Sequence, residues 1–126
     1  MTDKPHLDEE ALAELQEVME NEFDILINTY LHDSSDRIAH LRSALEKSDA
    51  DAFAKSAHSF KGSCINIGAP RLGELCFEAE KAGRDNQLSQ AGAMLDDIEN
   101  EFRQVEGTLK RFIAVSYTHL TLPTKA

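Results

Sequence analysis

The stretch from Leu95 to Phe112 does most to restrict what this chain can become. Leu95, Ile98, Phe102, Val105, Leu109 and Phe112 follow one another at steps of three, four, three, four and three. That spacing gathers all six on one stripe of a 3.6-residue helix and matches no strand alternation. A stripe of this length must be covered by other apolar surface, so the rest of the chain has to supply partner helices.

It does so in order. Leu7-Asp8-Glu9-Glu10-Ala11-Leu12 reads as a helix start, with Asp8 as N-cap, acids in the first turn and Leu7 placed to staple onto Leu12. This short helix is expected to end near Met19 or Glu20. A second helix begins near Glu22, carries Phe23, Leu26 or Ile27, Tyr30, Ser34, Ile38, Leu41 and Leu45 on one face, and ends at Lys47-Ser48-Asp49. A third, capped by Asp49 or Asp51, buries Phe53, Ala57, Phe60, Cys64 and Ile67 and stops at Gly68. Pro70 then supplies a first turn for a fourth helix, which buries Leu72, Leu75, Cys76 and Ala79 and fades at Gly83-Arg84-Asp85-Asn86. The short Gly-Ala-Pro link makes helices three and four antiparallel neighbours.

No segment alternates like a strand and no repeat is visible. The expected fold is all-α, an antiparallel four-helix bundle with a short N-terminal capping helix. Residues 1–115 form one domain. From about Ser116 the texture becomes threonine-rich and aperiodic, and residues 116–126 are similar to a vector-derived tail, set aside from fold reasoning.

At 126 residues the chain suffices for one domain with a real core, but not for a nucleotide-binding kinase domain besides. The net charge of −10 argues against a basic patch for nucleic acid or an anionic membrane surface. Cys64 and Cys76 lie on apolar stripes and not in a Cys-x-x-Cys pair, which reads as reduced packing residues. With no apolar run long enough to span a bilayer and no signal peptide, the expectation is a cytoplasmic protein, and a monomer is expected.

The unusual residue is His58. Its wheel position lies roughly 140° from the centre of the Phe53–Ile67 stripe, so the imidazole is expected to face water. Lys61 and Gly62 follow at i+3 and i+4, setting an ammonium on one side of the ring and bare backbone on the other. A free imidazole titrates near pH 6.5, and a neutral ring nitrogen is a competent nucleophile toward phosphorus. Lys61 could then stabilise the phosphoryl oxygens, and Gly62 could allow close approach of a partner, which would justify a helical glycine's cost of about 0.5–1 kcal/mol. Gly73, Gly83, Gly92 and Gly107 also fall in helical segments and have no such reason in the sequence. Ala54 and Ile65 lie within roughly 40° of His58 on the wheel and, with Ser59, form the expected docking patch. No acid is evidently placed to orient the imidazole; Asp51 is two turns back.

The residues His58-Ser59-Phe60-Lys61-Gly62-Ser63, then Ile67-Gly68-Ala69 and Arg71-Leu72, resemble the signature of histidine-containing phosphotransfer (HPt) domains. The resemblance spans roughly Tyr30 to Phe112, includes Leu72-Gly73-Glu74-Leu75-Cys76, and is strongest to free-standing bacterial members. It implies a non-enzymatic phosphocarrier in two-component signalling. His58 would take a phosphoryl group from a receiver-domain aspartate and pass it to another response-regulator receiver, in a relay that begins at a hybrid sensor histidine kinase. The chain would need no cofactor of its own, the Mg²⁺ belonging to the receiver. Family resemblance favours Nε2 as the phosphorylated nitrogen.

Two other classes compete. One is a helical adaptor in which His58 is incidental. The other is a metal-binding or redox bundle, for which Asp33, Asp36 and His40 on helix two offer a face, although His-Glu-x-x-His and Glu-x-x-His are both absent. A solvated acidic face is the simpler reading, and no metal ligand is assigned.

Overall fold

The computed structural model describes residues 4–125, with side chains described as far as Ile113. Five α-helices follow in order: α1 Glu9–Met19, α2 Glu22–Glu46, α3 Ala50–Ile67, α4 Pro70–Arg84 and α5 Ala91–Lys125, with a 3₁₀ turn at Leu88–Gln90 before α5. No strand occurs among the described residues, and no described helix is long and apolar enough to cross a membrane.

The helix ends follow from local chemistry. Asp8 and Asp49 each accept a hydrogen bond from the backbone N–H three residues on, at Ala11 and Ala52, satisfying donors that the first turn leaves unpaired. At the other end of α3, Gly68 has φ +86°, a left-handed conformation that glycine adopts without a Cβ clash. Gly68 N–H donates to Ile65 O at 3.1 Å and Ala69 N–H to Cys64 O at 2.8 Å, which closes the helix and reverses the chain. Asp8 N–H donates in turn to Gly68 O at 2.7 Å, which ties the entry to α1 onto this reversal.

The core lies among α2 to α5, with Leu12 of α1 buried in it as well. Phe53, Ala57, Phe60 and Cys64 are fully buried, and Ile67 nearly so, as the α3 stripe requires. Phe60 and Tyr30 each lie 6.5 Å, centroid to centroid, from Phe102. On α2 the buried set is Phe23, Ile27, Tyr30, Leu31, Ser34, Ile38, Leu41 and Ala44, so Ile27 takes the place left open between it and Leu26, and Ala44 turns inward where Leu45 was expected. Leu26 and Leu45 pack at the margin. Cys64 and Cys76 are free and buried. The Tyr30 hydroxyl lies 3.4 Å from Cys64 Sγ. The Cys76 thiol is pushed up by its contact with Cys64 and by burial, so it stays protonated and unreactive.

The α5 backbone remains helical to Lys125. The tail expected from Ser116 on falls on residues whose side chains lie outside those described. On the acidic face of α2, His32 Nε2 lies 3.6 Å from Asp36 Oδ2. No group of three or more potential ligands is arranged to hold a metal among the described residues.

Candidate functional site

The antiparallel α3–α4 hairpin folds about Ala69, so residues equally far before and after it face each other. Ile65 meets Gly73, where a Cβ would lie 3.4 Å from Ile65 Cγ1. Lys61 meets Phe77, its Nζ 5.1 Å from the ring centroid. His58, eleven residues before Ala69, meets Glu80, eleven after. The helices come very near at Gly83, where a Cβ would stand 2.9 Å from Ala50 O, Ala54 N and Ala54 Cβ. Only a glycine lets α4 come this near, and the nearness brings Glu80 within reach of the imidazole.

His58 is exposed, with 60% of its side chain open to solvent. Glu80 is not: its side chain is only 7% exposed, and its two oxygens gather every charged neighbour of the site. His58 Nδ1 lies 2.9 Å from Glu80 Oε2. Arg84 donates to the same oxygen through Nε at 3.0 Å and Nη2 at 2.7 Å. Lys61 Nζ lies 3.0 Å from Oε1 as an ion pair. Burial alone would push the Glu80 carboxyl up. Arg84 first, then Lys61 and His58, outweigh it and hold the carboxyl down at about 2.

That ionisation fixes the tautomer. A carboxylate only accepts, so Nδ1 must carry the proton and donate it to Oε2. When the ring is neutral, the lone pair is then left on Nε2. In that form the site offers an oriented nitrogen nucleophile above a buried anion flanked by two cations.

Sequence reasoning placed His58 on the outer face of α3 but found no acid to orient it. The structure corrects this with Glu80, which sits in a charged run with Glu78 and Lys81 that reads as ordinary solvated surface. Counting outward from the Gly68-Ala69-Pro70 turn would have found it. Lys61 is not a free surface ammonium either: its side chain is 23% exposed, held against Glu80 and Phe77.

The expected docking patch is divided. Ile65 is exposed and Ser59 half-buried. Ala54 is buried because Gly83 of α4 packs directly upon it, so it cannot touch a partner. Gly62 is exposed, and a Cβ there would meet nothing within 4 Å. Nothing inside the molecule therefore calls for a glycine at 62. Gly83, which had no explanation in the sequence, is accounted for by the α3–α4 contact, whereas a Cβ at Gly73 would make ordinary contacts from 3.4 Å outward.

A family model described as Hpt domain matches residues 25–108. The chain is similar to histidine-containing phosphotransfer protein B (HptB) from Pseudomonas aeruginosa PAO1, with a TM-score of 0.81 and 43% identity over 85% of this chain and 93% of that one. It shares its fold with the maize histidine-containing phosphotransfer protein ZmHP2, with a TM-score of 0.78 and 19% identity over 87% of this chain and 90% of the maize chain. No curated protein matches the sequence.

Proposed function

The chain belongs to the histidine-containing phosphotransfer family, a phosphorelay intermediate by that membership, and from this premise we propose that His58 Nε2 is the atom that carries the phosphoryl group. The observation that carries the assignment is the His58–Glu80 pair, an exposed imidazole whose Nδ1 proton is held by a buried, ionised carboxylate. The donor is a receiver-domain aspartyl phosphate. The Nε2 lone pair forms the N–P bond as the aspartate O–P bond breaks, and the aspartate leaves as a carboxylate. The proton on Nδ1 stays where it is.

Glu80 then has a second task. With phosphorus on Nε2 and hydrogen on Nδ1, the ring carries positive charge, and the carboxylate 2.9 Å away stabilises it. The same charge keeps the phosphoryl group labile, so it can move on to the aspartate of a second receiver. Positioning and charge do most of the work in such in-line transfers. Lys61 and Arg84 are the cations at hand, and Mg²⁺ is assigned to the receiver's own aspartate site. Gly62 leaves room for the receiver, and Ile65 with Ser59 supplies part of its seat. The protein acts as a phosphocarrier in the cytoplasm of a bacterium, fed through a hybrid sensor kinase.

The test is transfer from a phosphorylated receiver domain to wild type and to His58→Gln. Wild type should gain an acid-labile, base-stable phosphate and His58→Gln none. Equal labelling of both, or an acid-stable product, would sink the assignment.

A further inference from the structure

Phe77 is a large aromatic side chain that the core does not use. Its residue is 47% exposed, although it sits on α4 between Gly73 and Glu80, both of which turn toward α3. What its ring does touch is the Lys61 ammonium, 5.1 Å from the centroid. That ammonium also meets Glu80 Oε1 at 3.0 Å.

A lysine on an outward face would ordinarily spread over many rotamers, strongly hydrated. Here the side chain is mostly covered, and its charge touches both a carboxylate and a ring quadrupole one turn from His58. The two holders differ in what they do to an arriving phosphoryl group. Glu80 repels it and competes with it for the ammonium. The ring attracts the cation without adding negative charge, so it can hold Lys61 in place and still let the charge turn toward phosphoryl oxygens.

We propose that Phe77 is a positioning residue for phosphoryl transfer, acting through Lys61: its ring holds the ammonium beside the imidazole, ready for the phosphoryl oxygens as the N–P bond forms. This rests on His58 being the phosphorylated residue. An exposed aromatic could instead serve as a direct contact to the partner receiver, and the experiment separates the two because it uses no partner.

The isolated protein is treated with potassium phosphoramidate, a small donor from which His58 Nε2 gains the P–N bond as the donor's own P–N bond breaks and ammonia leaves. Phosphorylation rate and phosphohistidine lifetime are followed by ³¹P NMR for wild type, Phe77→Leu, Phe77→Tyr, Lys61→Ala and the Phe77→Leu/Lys61→Ala double variant, with thermal melts to confirm folding. Phe77→Leu should slow labelling or shorten the lifetime by about two- to fivefold, the size expected for a half-exposed cation–π contact. Phe77→Tyr should keep wild-type behaviour, and Phe77→Leu should have no further effect once Lys61 is alanine. The inference is overturned if Phe77→Leu matches wild type with this donor, or if its effect multiplies with that of Lys61→Ala. An effect seen only in receiver-dependent transfer would make Phe77 a partner contact and overturn it as well. Failure of wild type to be labelled, or equal labelling of His58→Gln, would defeat the His58 assignment instead.

Discussion

Replacing Glu80 with glutamine keeps the shape of the site and removes the charge on which it converges. In wild type, Oε2 accepts from Arg84 and His58 while Oε1 faces Lys61. The amide can place its oxygen toward only one of these groups, so its NH₂ must point at a cation or at the imidazole. Holding the carboxyl at about 2 against an ordinary 4.5 corresponds to at most about 3 kcal/mol. His58 and Arg84 are both about 60% exposed, so solvent screening reduces this to about 1–2 kcal/mol. With a urea slope on the order of 1.5 kcal/mol/M, the Glu80→Gln midpoint at pH 7 should fall by about 1 M.

The pH dependence gives the sharper check. A carboxyl whose folded pKa is depressed stabilises fully above its unfolded value, here 4.5, and loses that contribution as the pH falls through about 2. The stability gap between wild type and Glu80→Gln should therefore be complete at pH 7, begin to close below about 4.5 and be nearly gone near 2. In parallel, ¹⁵N spectra of the imidazole should show the Nδ1–H tautomer in wild type and a mixture in the variant, because an amide can either donate to Nδ1 or accept from it. A gap that stays constant on acidification, or an unchanged tautomer, would refute the claim that an ionised Glu80 organises this site.

Gly83→Ala puts a methyl group 2.9 Å from the Ala50 and Ala54 backbone; it should cost about 1–3 kcal/mol in urea unfolding and slow His58 phosphorylation by drawing Glu80 away. Gly62→Gln enters open space, so the melting temperature should hold or rise, consistent with relief of about 0.5–1 kcal/mol, while receiver affinity and transfer fall together. Wild-type binding and transfer by Gly62→Gln would show that this glycine does not serve docking. Deleting Tyr117 to Ala126 should leave the melting temperature and phosphotransfer unchanged, and a large loss of either would show that those residues belong to the domain.

The sequence was sufficient for what depends on local rules. Helix period, the Asp8 and Asp49 caps, the Gly68 stop and the Pro70 start are each written within a few residues, so five helices and most of their buried residues are legible there, although Leu45 and Leu75, expected inside, are only partly buried. His58 faced outward for the same reason, since a wheel needs only the stripe on its own helix. It failed wherever a second helix decides. Ala54 lies close to His58 on the wheel, yet α4 covers it, because exposure depends on which neighbour packs there and how closely. Glu80 is one of the chain's 23 acidic residues and unremarkable in its own helix; it becomes the organising anion only through the register about Ala69 and the gap that Gly83 leaves. Periodicity reports which side of a helix faces the core. The distance between two helices is set by the smallest side chains at their crossing, and here that distance turns an exposed histidine into one with a fixed proton and a free nitrogen.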